Sequence, residues 1–285
     1  MFTLAHQRFW KHCLLCALFL LAAVTQLQAA KVKGSLFIVG GALDTSLALR
    51  MAELANARTG GYIVVLPLAS EKADSAALNA VKLFESQDVR AVTSMFVGQT
   101  DTASQQQLDS ILGARLIYMT GGDQTRLMQL INQLNIKATL ISAYQQGAMI
   151  AGSSAGAAVM SKWMITGNQL KTADYEPTFS RLQAGNLELA EGLGLIEKAV
   201  IDQHFIKRSR YNRLISAVLE NKGVKGVGID EKTAIYVKDG RAEVYGSSQV
   251  VVITSRKARP PQAGLLSSTN VRLTILWAGD RFTLR

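Results

Sequence analysis

Short continuous apolar runs alternate with amphipathic stretches from Ser35 to about Leu219. Ser35-Leu36-Phe37-Ile38-Val39, Tyr62-Ile63-Val64-Val65-Leu66, Leu116-Ile117-Tyr118-Met119 and Ala148-Met149-Ile150-Ala151 each read as a strand, with Val89 to Val97 as another. The stretches between them carry helical periodicity. Leu47, Met51, Leu54 and Ala55 share one face; Ala73 to Ser86, Ala103 to Leu112, a segment ending near Leu134, and Ile136 to Gln146 read as further helices. Strands with no polar alternation are buried on both faces. The pattern therefore predicts an α/β fold: a mostly parallel central sheet with helices on both sides. Ligand sites in such sheets collect at the carboxyl ends of the strands, where Gly40-Gly41, Gly121-Gly122 and Gly152 to Gly156 fall.

The texture changes after Lys225. Gly228 to Val252 reads as short strands with a hairpin signal at Lys238-Asp239-Gly240-Arg241. Pro260-Pro261 suggests a loop, and Val271 to Trp277 a final strand. No internal repeat or low-complexity linker interrupts the pattern, so residues 31–285 are expected to form a single domain.

The first thirty residues read differently. Arg8 and Lys11 precede twelve unbroken apolar residues, Cys13 to Val24, and Leu27-Gln28-Ala29-Ala30 offers small residues for cleavage. This is the pattern of a signal peptide over residues 1–30. It predicts an exported protein, periplasmic or extracellular. Twelve residues fall short of the ~20 that span a bilayer; a retained anchor is the competing reading.

Cleavage after Ala30 changes the chemical inventory. Of two cysteines and three histidines, only His204 would remain, and the net charge would fall from +10 to 29 − 21 = +8. Such a chain has no disulfide scaffold, no thiol nucleophile and no Cys- or His-rich metal site. The basic residues are scattered except for a cluster at Lys207 to Arg213, without the basic runs and interleaved aromatics expected of a nucleic-acid surface.

Gly152-x-Ser154-x-Gly156 follows a strand and precedes a predicted helix. That is the setting of a nucleophile elbow, in which glycines permit a cramped turn that lifts the serine hydroxyl out of the sheet. The Ala155 amide would sit where it can stabilise an oxyanion. A serine needs a base, and His204 follows the apolar pair Val200-Ile201 at another predicted strand end. Gly121-Gly122-Asp123-Gln124 closes a third strand. Its amides can supply a second oxyanion donor, Gln124 can line the cleft, and Asp123 can cap the next helix. Tyr211, Leu214, Ile215 and Val218 mark the buried face of the helix after the histidine. Arg208, Arg210 and Arg213 are expected elsewhere, either as a solvated basic face or for bidentate recognition of carboxylates.

Four segments together resemble the cyanophycinases of peptidase family S51: Thr120-Gly-Gly-Asp-Gln124, Gly152-Ser-Ser-Ala-Gly-Ala157, Asp202-Gln-His-Phe-Ile-Lys-Arg-Ser-Arg-Tyr-Asn-Arg213 and Gly228-Ile-Asp-Glu-Lys-Thr-Ala234. Gly40-Gly41-Ala42-Leu43-Asp44 resembles the family's first strand-end loop. The resemblance implies a serine exopeptidase that needs no metal or organic cofactor, with a fold related to dipeptidase E, the class I glutamine amidotransferases and flavodoxin-like proteins. It implies hydrolysis of cyanophycin, an aspartate backbone bearing arginine on each β-carboxyl, to β-aspartyl-arginine dipeptides, and a homodimer. It also implies Ser154 as nucleophile, His204 as base, and the Gly122 and Ala155 amides as oxyanion hole. Gln124, Asp202, Gln203, Arg208, Arg210 and Arg213 match positions linked to substrate or active-site structure. Relatives carry an orienting acid about 15 to 18 residues beyond the serine. Here those counts reach Gln169 and Thr172, so Glu176 or Asp174 is the expected acid, with Gln169 as a neutral alternative. Two other functions fit the same residues: a peptidase for short aspartyl peptides, and a non-catalytic exported binding protein.

Overall fold

The computed structural model describes residues 32–99, 101–171 and 178–284. The chain divides into a first unit, Met1–Val32, and a second, Lys33–Arg285. The predicted leader lies outside the described residues. No helix among the described residues is long and apolar enough to cross a membrane.

The apolar runs form β1 (Ser35–Val39), β2 (Ile63–Leu66), β4 (Leu116–Met119) and β5 (Met149–Ser153), with β3 (Val92–Ser94) at the edge. These five are parallel. Beyond β1 the sheet continues antiparallel through β10 (Thr233–Lys238), β11 (Arg241–Gly246) and β16 (Arg281–Thr283). The spatial order is β3-β2-β4-β5-β1-β10-β11-β16. The strand predicted over Val89 to Val97 shrinks to three residues because its one partner among the described strands, β2, is four residues long and stops before Pro67.

Period-two alternation divides the parallel strands between two cores. Leu36, Ile38, Val64, Leu66, Ile117 and Ile150 face one side, with Ile111 from α3 (Gln105–Leu112), Leu127 and Ile131 from α4 (Gln124–Gln133), and Leu140 from α5 (Lys137–Gln146). Phe37, Val39, Val65 and Tyr118 face the other, with Leu47 and Met51 from α1 (Thr45–Leu54) and Phe84 from α2 (Ala73–Glu85). Full burial of each large aliphatic side chain favours folding by about 1.5–3 kcal/mol. A one-residue slip would exchange every side chain between the two cores, which fixes the register.

A second sheet, absent from the sequence-based expectation, has the order β8 (Ala199–Gln203), β9 (Lys225–Ile229), β12 (Val250–Ser255) and β15 (Val271–Leu276). Its parallel pair β8–β9 carries residues that the apolar pattern alone would assign to the central sheet. Helix α7 (Tyr211–Glu220) covers one face, packing Leu214, Ala217 and Val218 against Val251 and Ile253. A separate antiparallel pair joins β6 (Trp163–Gln169) to β7 (Leu187–Glu191).

The hairpin at Lys238–Arg241 forms between β10 and β11, with Asp239 and Gly240 both at positive φ, as a two-residue hairpin turn demands. Pro260 and Pro261 do not form a loop. They lie within β13 (Ala258–Gln262), which pairs with β14 (Leu265–Ser268), at the register shift between Arg259 and Gln262. An irregularity is where a strand can accommodate residues that cannot donate to the ladder.

Candidate active site

Ser154 follows the last residue of β5 with φ 55° and ψ −108°, a conformation few residues with a side chain adopt. It precedes the short helix α6 (Ala155–Ala158). Two glycines make the turn possible. A Cβ on Gly152 would lie 2.3 Å from the carbonyl oxygen of Gly156, and one on Gly156 would lie 2.4 Å from that of Met119. The Ser154 amide donates to the Val39 carbonyl at 3.0 Å, tying the elbow to the end of β1.

His204 follows β8 directly and also has positive φ, 47°. Its Nε2 lies 2.9 Å from Ser154 Oγ, and its Nδ1 lies 2.8 Å from Glu231 Oε1. Glu231 stands two residues beyond β9. Because β8 and β9 run parallel, with Gln203 opposite Ile229, both loops leave the sheet at the same edge. The neighbouring Asp230 secures the loop after the histidine: its Oδ1 accepts from the Ile206 amide at 3.1 Å and the Lys207 amide at 2.9 Å. Its Oδ2 accepts from Ser248 Oγ at 2.7 Å.

The carboxylate on His204 is therefore Glu231, which corrects the expectation of an acid shortly after the serine. Asp174 and Glu176 lie outside the described residues. Gln169 engages elsewhere, its Oε1 accepting from Asn186 Nδ2 at 2.8 Å. Distance in sequence from the nucleophile was the wrong guide, because the acid arrives from a different strand. A usable signal was present: an acidic pair at the end of the apolar run Gly226 to Ile229.

Burial holds the His204 pKa below the ordinary histidine value, and the Arg208 and Arg210 charges act in the same direction against the bond to Glu231. The imidazole is thus neutral at pH 7 and free to accept a proton at Nε2. The acid limb of kcat/KM should inflect below about 6.5, the unperturbed histidine value; an inflection above 7 would contradict this. The same shift makes protonation favour the unfolded chain, so it lowers stability as pH falls through that range.

Gly121 lies beside the nucleophile: a Cβ there would be 3.4 Å from Ser154 Cβ. Asp123 caps α4, accepting from the Arg126 amide at 2.7 Å. Gln124 is buried, and its side-chain amide donates to the carbonyls of Ile165 (2.9 Å) and Thr166 (2.6 Å). It braces β6 instead of presenting that amide to a cleft.

The arginines also depart from expectation. Arg210 and Arg213 are buried, with 3% and 2% exposure, and neither lies on a solvated face. Arg213 grips both carboxylate oxygens of Asp202, with Nε 2.8 Å from Oδ2 and Nη2 bonded to Oδ1. Arg210 Nη1 donates to the Gln203 backbone oxygen at 2.8 Å and also to its side-chain oxygen. These four residues bind one another under the end of β8. Helical periodicity could not place the arginines inside, because it takes no account of an acid buried on a neighbouring strand. Arg208 alone of the three is exposed, and its amide donates to the His204 carbonyl at 2.9 Å. Arg213→Ala leaves Asp202 buried without its bidentate partner. It should cost about 3–5 kcal/mol of stability, readable by urea unfolding; a loss under 1 kcal/mol would show that the pair does not brace the fold.

Residues 36–245 match the model of peptidase family S51. A cyanophycinase from Nostoc sp. is 31% identical over 264 residues, covering 88% of this chain and 86% of that protein. A cyanophycinase from Synechococcus elongatus is 34% identical, covering 89% and 80%. Among solved structures, a peptidase from an acI-B1 Actinobacterium superposes with a TM-score of 0.63 at 22% identity, over 89% of this chain and 98% of that one. That likeness supports the α/β fold. The family match contains Ser154, His204 and Glu231 within its bounds, and by it the chain is a peptidase that belongs to family S51.

Proposed function

We propose that this peptidase is an exported serine exopeptidase that hydrolyses cyanophycin to β-aspartyl-arginine dipeptides. The observation that carries the catalytic part is the unbroken line Ser154 Oγ, His204 Nε2, His204 Nδ1, Glu231 Oε1. In the proposed reaction Ser154 Oγ attacks the scissile amide carbonyl while His204 Nε2 takes its proton. Glu231 accepts the Nδ1–H bond, which orients the ring and stabilises the imidazolium. The Gly122 and Ala155 amides stabilise the oxyanion. The C–N bond breaks as His204 returns the proton to the leaving amine. Water then attacks the acyl carbonyl, giving a proton to His204; the ester C–Oγ bond breaks as His204 returns that proton to Ser154 Oγ, releasing the carboxylic acid product.

The substrate part draws on the cyanophycinase relatives. Each repeat of the polymer carries a carboxylate and a guanidinium. Arg208, exposed and near His204, is the candidate for the carboxylate. The test is to supply the purified protein with cyanophycin beside Asp-X dipeptides and to weigh the products. Release of aspartyl-arginine from the polymer supports the proposal. Preference for the dipeptides would replace it with an aspartyl-peptidase reading, and no turnover of either with a binding role.

Export rests on the leader pattern of residues 1–30, and N-terminal sequencing of the secreted protein would test it. A homodimer is proposed on the edge strand β15. Its Val271, Leu273 and Ile275 are 42%, 45% and 56% exposed, and Trp277 beyond it 69%. Leu273 and Ile275 pair with Ile253 and Val251, on the sheet face that α7 covers one strand inward. Antiparallel pairing of β15 with its copy would cover this row and close the edge. Sedimentation velocity should give a dimer for the wild type and a monomer for Ile275→Lys.

A further inference from the structure

Three of the backbone positions that set the candidate site hang from one turn. The Ser154 amide donates to the Val39 carbonyl at 3.0 Å, the His204 amide to the Gly40 carbonyl at 2.7 Å, and the Lys232 amide to the Gly41 carbonyl at 2.9 Å. In return the Gly40 amide donates to the Thr233 carbonyl at 2.9 Å. So the turn after β1 holds the nucleophile, the base and the segment bearing Glu231 by their main chains. Ser154, His204 and Lys232 all have positive φ, at 55°, 47° and 52°. Such conformations persist where surrounding bonds over-determine them. Here part of that determination comes from a single neighbour.

Gly41 adds a second, independent relation. It has φ +144°, and a Cβ at that position would stand 2.3 Å from His204 Cε1, 2.6 Å from Nδ1 and 2.8 Å from Nε2. The bare backbone of Gly41 thus lies against the ring edge that bears both nitrogens. No side chain fits there while Nδ1 is 2.8 Å from Glu231 and Nε2 is 2.9 Å from Ser154.

We propose that Gly41 is a positioning residue for His204, its missing side chain leaving the space that keeps the imidazole on the line from Ser154 to Glu231. This rests on the serine-peptidase reading above. Gly41 acts through the base, so the expected effect falls on proton transfer and not on substrate affinity.

The experiment replaces Gly41 with alanine in the full-length protein and follows aspartyl-arginine release from cyanophycin. The expected result is a kcat lowered at least ~100-fold, the scale of an ångström-sized misplacement, with KM within about threefold of wild type. The histidine inflection in the pH profile should shift or vanish. Gly61→Ala serves as the control, since Gly61 also has positive φ (81°) but the three atoms nearest to a Cβ there all belong to the side chain of Arg115. It should lose thermal stability and keep kcat. Should Gly41→Ala be too unstable to assay, the thermal midpoint is compared in two backgrounds. With His204→Ala, the vacated ring space admits the new methyl, so the loss caused by Gly41→Ala should shrink. An undiminished loss would assign Gly41 to backbone strain alone and overturn the proposal, as would an unchanged kcat. If Ser154→Ala kept its activity, the serine-peptidase reading itself would fail. Loss with Ser154→Ala but full kcat with Gly41→Ala would reject only the positioning role.

Discussion

Ser154→Ala is expected to lower turnover by about 10⁵–10⁶-fold while the protein stays folded, because it removes the attacking oxygen and little else. The hydroxyl's hydrogen-bond partner is the His204 ring, 2.9 Å away, and that ring keeps its anchor on Glu231. The backbone bond from Ser154 to Val39 is independent of the side chain. Unfolding curves should therefore nearly coincide with wild type. Residual activity over the uncatalysed rate would report the oxyanion amides and substrate binding alone. Steady-state assay with polymer, together with a serine-directed phosphonate, reads the result. Full activity, or unchanged labelling at a different residue, would remove Ser154 from the mechanism.

Glu231→Gln should lower kcat by about 10⁴-fold. A glutamine amide can turn its NH₂ toward His204 Nδ1, which forces the ring proton onto Nε2. That tautomer cannot accept the Ser154 proton. Glu231 is 31% exposed, so the substitution should change stability little and act mainly on chemistry. Glu176→Gln and Asp174→Asn, assayed in parallel, should stay within about tenfold of wild type, since the place at Nδ1 is already filled. Collapse of activity in either, with Glu231→Gln unaffected, would transfer the orienting role back to the segment after the serine.

The parallel strands were legible because their signal is local. The apolar runs Ser35–Val39 and Ala148–Ala151 are buried along their whole length, the pattern of strands in a sheet covered on both faces. The elbow was legible for a similar reason: Gly152, Ser154 and Gly156 meet one steric demand within five residues. His204 was found by elimination, as the one histidine after residue 30. By contrast, the division of the later strands into a second sheet depended on which strand β8 pairs with, and apolar runs do not encode partners.

What the sequence determined by itself was the covered sheet, the strained serine turn and the supply of one imidazole after residue 30, since each follows from residue type and position along the chain. What only the tertiary structure decided was the company these residues keep. Glu231 reaches His204 because two parallel strands end at the same edge, 27 residues apart in sequence. Arg213 is an internal brace because Asp202 lies buried on strand β8 beside its helix, where solvation is lost and a charge must find its opposite. The turn at Gly40 and Gly41 resembled the family's first strand-end loop, with no role for either residue read from the sequence. Its role depends on carbonyls and empty space meeting three other segments, and neither is visible until the chain has folded.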